Sequence, residues 1–533
     1  MATASSSQVK NALLRLLDLG RALPDFFRRR VTVAAAVEEV RAGLARRAET
    51  FLEIARTEIY TDPNHPYLRL LKIAGCEYGD LRGHVMRDGL DATLERLARA
   101  GVYLTADEFK GKKDVVRGGA AFRIAPERFE RAQRGAGLTV QTSGTSGRPV
   151  TTTMSLERLE FHVPAMAVFF AAHDFFNARH AFYDAVLPAS GAMGNVLIYA
   201  QLGVVPDRWI ARPMPTKTVL GASYHALATR LIAFMARRYG PGFARPEFTD
   251  VDAIVDWAAS QRDAGRSCCV TTAASNAVRI ARLASEHGVS LQGTKFLASG
   301  EPLTDAKRET IARAGASVTC RYAFTELGIA GFGCGRPESP DDVHVHQNVL
   351  ALVRHPEPLG GSGIHPLLFT TAERRADRLL LNVANGDYGV LQKRDCGCAL
   401  ERAGLALHLH TIRSYEKFTG EGMNYFYSDL AELIEKTLPS EFGGGPGDYQ
   451  LIEEEDGAAQ TRLTLRVEPR LGVIDEARLL ARLRAQLGRG AWSYEFQARV
   501  WDRAGTLRVK REAPAASARG KISPLHLQKT VER

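Results

Sequence analysis

Apolar residues recur every three or four positions through residues 8–60, with few breakers, and that period predicts helix. Leu13, Leu14, Leu16 and Leu17 are read as one side of an amphipathic first helix. Asp62-Pro63-Asn64-His65-Pro66 interrupts the period, and residues 67–130 alternate short helical patches with turns. After the short strand-like run at 138–140, helices and strands alternate from about 155 to 290. Residues 181–187 read as a buried strand. Residues 267–271 read as a second strand, followed by a helix over 273–287. A third strand at 294–298 precedes a helix over 305–314, and a fourth occupies 317–322. Strand, helix and strand at these lengths predict crossover units and a largely parallel sheet.

Residues 343–412 change to short strands with Gly and Pro turns, which predicts a more antiparallel region. Beyond 413 a helix (428–437), a Gly-rich turn (443–447), a strand (459–467), a helix (475–487) and a strand (495–501) form a compact α+β unit. The chain is therefore expected to divide into a large domain over 1–412, opened by a helical extension over about 1–60, and a small one over 413–533. The Ala-, Ser- and Lys-rich end, from about 512, is expected to be mobile.

At 533 residues the chain is too long for one core. With 45% hydrophobic and 24% charged residues it has the supply of a folded globular protein, not of a disordered one. The net charge of +10 arises from 70 Lys plus Arg against 60 Asp plus Glu, spread along the chain. There is no basic run interleaved with aromatics, so no nucleic-acid interface is expected, while a mildly positive surface suits nucleotide polyanions. No apolar stretch reaches the ~18 residues of a spanning helix. The seven cysteines (Cys76, Cys268, Cys269, Cys320, Cys334, Cys396, Cys398) are an odd set, with no signal peptide ahead of them. Reduced thiols and a cytoplasmic setting are expected in place of a disulfide framework. The Ser- and Arg-containing start admits a transit peptide; the amphipathic helix is the reading adopted.

Candidate chemistry begins at Thr142-Ser143-Gly144-Thr145-Ser146-Gly147-Arg148-Pro149. Gly144 and Gly147 permit backbone angles that turn N–H groups toward an anion, and four hydroxyls add donors. Alone, such a cluster is as readily a surface loop, and it lacks the Gly-Lys-Ser/Thr ending of a P-loop. Further segments follow in order. Ser299-Gly300-Glu301-Pro302 ends a predicted strand. Arg321-Tyr322-Ala323-Phe324-Thr325-Glu326-Leu327-Gly328 ends another, and its Glu326 offers the carboxylate oxygen that a hard cation between phosphates requires. Asn385-Gly386-Asp387-Tyr388-Gly389 is a turn of the kind Asp often forms. Arg413-Ser414-Tyr415-Glu416 falls at the predicted boundary, and Ala518-Arg519-Gly520-Lys521 in the tail. Singly, each has a structural reading: a strand end, a turn, a surface ion pair, a solvated lysine.

In this order the segments resemble the adenylate-forming superfamily of acyl-CoA synthetases, and most closely its phenylacetate–coenzyme A ligase branch, from about residue 60 to the end. The resemblance implies that Thr142, Ser143, Gly144, Thr145, Ser146 and Gly147 hold the β- and γ-phosphates of ATP. It implies that Gly300, Glu301 and Pro302 lie beside adenine, with Tyr322 stacked near it. Thr325 would contact the α-phosphate, Glu326 would hold Mg²⁺, and Asp387 would accept from the ribose hydroxyls. Arg413 would bind the nucleotide. Lys521 would bridge the carboxylate and the α-phosphate during adenylation, with Lys510 a competing candidate. Pro149-Val150 stands where many members have Pro-Lys, as suits the phenylacetate branch. Tyr415-Glu416 stands where Asp-Asp is usual, which leaves the hinge residue unassigned.

A second constellation is Cys334, His344 or His346, and Cys396-Gly397-Cys398. Thiolate and imidazole suit tetrahedral Zn²⁺; buried free thiols with separate histidines are the alternative. Val345 separates the histidines, so an extended strand places both on one face. Some members of the phenylacetate branch carry a Cys/His cluster in this region. The resemblance thus implies Cys334, His344, Cys396 and Cys398 as a closed structural site, with Ala399 where the family's Gly is usual.

The expected fold is α/β, a large N-terminal adenylate-forming domain with mixed, largely parallel sheets and a small mobile C-terminal α+β lid. The expected reaction takes a carboxylic acid and Mg·ATP to acyl-AMP and pyrophosphate, then transfers the acyl group, with coenzyme A the default acceptor by resemblance. A carrier or acceptor protein thiol, an amine, and a catalytically silent nucleotide-binding scaffold are the alternatives. The resemblance implies an aryl or medium acyl acid. Tyr183, Met193, Gly194, Ser299, Ala323 and Phe324 are candidates to line its pocket.

Overall fold

The computed structural model describes residues 6–131, 135–141, 151–187, 190–211, 219–300, 302–358, 364–414, 419–420, 423–424, 427–455, 461–487, 507–516, 522 and 525–527. A twelve-stranded sheet organises the large domain. In chain order its strands are β1 (Arg179–Tyr183), β2 (Pro206–Ile210), β3 (Pro246–Glu247), β4 (Cys268–Ala273), β5 (Thr294–Ser299), β6 (Ser317–Phe324), β7 (Gly328–Gly333), β8 (Val343–Val345), β9 (Leu350–Arg354), β10 (Pro366–Thr371), β11 (Val383–Lys393) and β12 (Leu407–Ser414). Across the sheet the order is β3-β2-β1-β4-β5-β6-β7-β8-β12-β11-β10-β9. Pairings from β3 through β6 are parallel. From β6–β7 onward every pairing is antiparallel.

Side-chain alternation explains the layers. Phe182, Cys269 and Leu297 pack into a core with the helices Leu156–Ala172, Ser190–Gln201 and Val219–Tyr239. Their neighbours Ala181, Cys268, Val270 and Phe296 pack on the opposite face with Asp252–Asp263, Ala274–Glu286 and Asp305–Arg313. Strands buried on both faces read as continuous apolar runs, which is why the parallel half was legible as strand. The chain departs to one side of β1 and returns on the other at β4. The order therefore reverses between them, and in open α/β sheets ligands bind beyond the carboxyl ends of the strands at such a reversal.

Several expectations need adjusting. The first helix, Ser6–Arg28, buries Leu16, Leu19, Leu23, Phe26 and Phe27, while Leu13, Leu14 and Leu17 remain about half exposed. The four leucines do not share one side: at 100° per residue, consecutive positions diverge, and a stripe at three- and four-residue steps seats the helix instead. The strand expected over 181–187 ends at Tyr183, where Asp184 turns the chain by accepting the Ala185 N–H on its own Oδ1 at 2.7 Å. The helix expected over 428–437 begins at Tyr427, passes through a π-helical turn at Leu433–Thr437 and continues over Leu438–Phe442.

Near the C-terminus, the strands Leu507–Lys510, Thr461–Val467, Tyr449–Glu455 and Leu525–Leu527 form a four-stranded sheet in that order, backed by Glu476–Leu487. The strand expected over 495–501 lies outside the described residues. Among the described residues, two ion pairs tie this part to the large domain: Arg282 to Asp448 at 2.9 Å, and Lys307 to Glu435 at 3.0 Å, the latter with both side chains buried. No helix among the described residues is long and apolar enough to cross a membrane.

Candidate functional site

The C-terminal end of β6 and the start of β11 meet in a closed polar triangle. Tyr322 donates its hydroxyl to Asp387 Oδ2 at 2.6 Å. Asn385 Nδ2 donates to the Tyr322 oxygen at 2.7 Å and to Asp387 Oδ2 at 3.0 Å. The Asp387 N–H donates to Asn385 Oδ1 at 3.1 Å, so the side chain of Asn385 closes the turn from within. Gly386 between them has φ +95°, a conformation that favours glycine. Burial, and then the neighbouring Asp387 carboxylate, push the Tyr322 phenol well above its ordinary range, so it stays a protonated donor. Glu326 acts on the same phenol through space.

The turn carrying Thr325 and Glu326 between β6 and β7 is held from the helix Leu156–Ala172. Arg158 Nη2 donates to the Thr325 carbonyl at 2.7 Å, and its Nη1 lies 3.5 Å from Asp377. Asp377 Oδ2 also accepts the Ser155 N–H at 3.2 Å, and the Ser155 hydroxyl caps the helix by accepting from Arg158 N at 3.0 Å. One turn on, His162 Nε2 lies 3.3 Å from both the Leu327 carbonyl and the Ile329 N–H. Burial, then the charges around it, hold this imidazole well below its ordinary pKa, so it is neutral. Gly328 sits against it with φ +98°, and a Cβ there would come within 2.3 Å of His162 Nε2. Sequence reasoning missed Arg158, His162 and Asp377. Arg158 and His162 stand four apart on one face of their helix, but Glu157 and Glu160 share the same turns, so nothing local singled the pair out.

Arg413 is engaged differently. It lies opposite Tyr388 on the β11–β12 ladder, and its Nη1 donates to Asp341 Oδ2 at 2.8 Å. Asp341 is itself buried and accepts the backbone N–H groups of Thr411 and Ile412. The arginine therefore pairs with a carboxylate that anchors the end of β12, and Ser414, next along, faces Asp387. Gly300 follows β5 with φ +78°, and Pro302 offers its carbonyl to Lys307 Nζ at 3.0 Å. Of the residues expected to line an acid pocket, Tyr183 and Met193 are buried, and Phe324 packs its ring 4.7 Å from that of Phe369. Residues 142–147, Glu301 and Lys521 lie outside the described residues.

The thiol–imidazole constellation does assemble. Cys334, His344, Cys396 and Cys398 bring one ligand atom each within 4.8 Å of one another. His344 Nε2 is 3.1 Å from Cys398 Sγ and 3.6 Å from Cys396 Sγ. Its Nδ1, 2.5 Å from the Leu405 carbonyl, must be the protonated nitrogen, which leaves Nε2 as a lone pair facing the sulfurs. The hydrogen bond from the Cys334 thiol holds Cys398 well below the usual thiol range, whereas its bond to Cys398 and burial push Cys334 up. His346 goes elsewhere, with its Nδ1 3.1 Å from the Ile329 carbonyl and its ring against Phe332 and His162. Beside the cluster, the tilted ring of His408 lies 4.0 Å from that of His344, and its Nδ1 bonds Asp342 at 2.8 Å. The donor set, its tautomer and its closeness fit a tetrahedral Zn²⁺.

No family model matches the sequence, and no curated protein matches it. Among solved structures, 2-hydroxyisobutyryl-CoA ligase in the postadenylation state, in complex with 2-HIB-AMP, is similar with a TM-score of 0.51 and 16% identity, over 94% of this chain and 91% of that one. The same ligase in complex with R3-HIB-AMP gives the same values. Such a likeness speaks to architecture: this chain shares the overall fold of that ligase.

Proposed function

We propose that the protein activates a carboxylic acid with Mg·ATP. The acid's oxygen attacks the α-phosphorus, a new P–O bond forms, the bond to the β-phosphate oxygen breaks, and pyrophosphate leaves with acyl-AMP retained. The observation that carries this reading is the junction of the Tyr322–Asn385–Asp387 triangle with the Thr325–Glu326 turn at the carboxyl end of a parallel sheet. In this reading Asp387 accepts from the ribose hydroxyls, Tyr322 lies against adenine with Gly300, Glu301 and Pro302, and Glu326 holds Mg²⁺. Thr325 meets the α-phosphate, residues 142–147 grip the outer phosphates, and Lys521 neutralises the attacking carboxylate and the α-phosphate. Arg413, paired to Asp341, steadies the strand end beside the nucleotide. Such a site positions reactants and neutralises charge, and it requires no covalent nucleophile.

The acyl group then passes to a thiol, with coenzyme A the first candidate; acyl-AMP yields the thioester and AMP. Residues 413–533 act as the lid whose rotation separates the two half-reactions. The Cys334–His344–Cys396–Cys398 site holds a structural Zn²⁺ and takes no part in the chemistry. ATP–pyrophosphate exchange over a panel of aliphatic and aromatic acids tests the proposal. Exchange that depends on added acid is expected; ATP binding without exchange for any acid would leave only a nucleotide-binding scaffold.

A further inference from the structure

Three arginines of the described residues are deeply buried: Arg158, Arg321 and Arg378. Arg158 pairs with Asp377, and Arg378 with Glu130 at 2.8 Å. Arg321 has no carboxylate within ion-pair distance among the described residues. Its Nη1 donates to Asn195 Oδ1 at 2.9 Å and lies 3.9 Å from Met166 Sδ, while its buried Nε has no hydrogen-bond partner among the described residues. Asp184 reaches it only through space, together with Tyr199 and Cys269. A guanidinium removed from water without a counter-charge is costly, and such a group persists where something else supplies the anion.

Its position says what that anion belongs to. Arg321 directly precedes Tyr322 on β6, and strand alternation sends the two to opposite faces: Tyr322 toward Asp387, Arg321 toward Met166 and Asn195. On the parallel ladders Arg321 pairs with Ser299 of β5, and Ser299 with Ala273 of β4. These three share one face at the carboxyl ends of the strands. Asn195 lies on Ser190–Gln201, the helix after β1, so the Arg321–Asn195 bond spans toward the point where strand order reverses between β1 and β4. With Nη1 committed to Asn195, the Nε/Nη2 edge of the guanidinium remains, a geometry that receives both oxygens of one carboxylate.

We infer that Arg321 reads a second carboxylate on the acid, one that stays unreacted while the first is activated, with Asn195 fixing the orientation of the guanidinium. The inference rests on the adenylation reading above and adds the substrate class, a dicarboxylic acid.

The test uses the full chain and matched ligands: linear and aromatic dicarboxylates, each against its mono-methyl ester. Binding is measured by calorimetry without ATP, and activation by pyrophosphate exchange. For at least one pair the wild type is expected to bind the diacid about 30-fold or more tightly than the half-ester, with exchange showing the same preference. Arg321→Met keeps length and apolar bulk; it is expected to lose that preference while retaining ATP binding and its circular dichroism spectrum. Arg321→Lys is expected to retain part of it. Equal binding of diacids and half-esters by the wild type, or a preference kept by a folded Arg321→Met, would overturn the inference. Exchange with neutral acids and no diacid preference removes the dicarboxylate assignment and leaves adenylation standing. Diacid binding that depends on Arg321 without any exchange does the reverse.

Discussion

The two polar clusters of the large domain are held together by opposite means. In the Tyr322–Asn385–Asp387 triangle neutral donors meet a carboxylate, and the hydrogen bonds link all three side chains. In the Cys334–His344–Cys396–Cys398 group the sulfurs gather around one imidazole lone pair. Three thiols and one imidazole lone pair drawn to one point are a donor set that suits a cation. The difference teaches where each cluster should register when damaged: the first in nucleotide handling, the second in stability.

The largest expected effect sharpens that contrast. Cys398→Ser should remove one equivalent of zinc and lower unfolding free energy by about 4 kcal/mol, with exchange per folded molecule nearly unchanged. Metal analysis of the purified wild type checks it, and protein free of zinc would remove the metal from the account. Next, Arg158→Met leaves Asp377 buried without its partner and frees the Thr325 carbonyl. It should cost about 3 kcal/mol in denaturant unfolding and depress exchange as well. A variant that loses stability alone would break the comparison, because the turn would then not depend on its buttress. Tyr322→Phe should raise the KM for ATP about tenfold with little change in melting temperature, the loss of one hydrogen bond to a charged group.

The smallest effect is a pH dependence. His162 is neutral when folded because burial depresses its pKa, so the unfolded state binds more protons below its ordinary value. Its contribution to stability is complete above about pH 6.5 and declines as pH falls toward the folded-state value. Exchange should weaken reversibly over that acid range, and His162→Gln should flatten the slope; an unchanged slope would remove His162 from the turn's support.

Tyr322, Thr325, Glu326 and Asp387 stood out in the sequence because a strand end or a Gly-rich turn carries each one. Cys396-Gly397-Cys398 stood out for the same reason, and His344, not His346, lies beside these thiols. Arg158 and His162 were not legible. Their helix reads as core, and their partners Thr325, Leu327 and Asp377 stand more than 160 residues away, a pairing only the tertiary fold creates. Arg413 was expected at the nucleotide, but its ion pair with Asp341 depends on the register of β12, which no local pattern reveals. The first helix shows the same limit in its phase: the leucines were visible, yet packing against Val219–Tyr239 selected Leu16, Leu19 and Leu23.

The central claim is that the Thr325–Glu326 turn places a metal-holding carboxylate at the phosphates of ATP. ATP–pyrophosphate exchange, with an acid that the wild type activates, measures this directly in Glu326→Gln. The account predicts a fall of about 10²- to 10³-fold in a variant that melts at the wild-type temperature. A folded Glu326→Gln protein exchanging at the wild-type rate would contradict it.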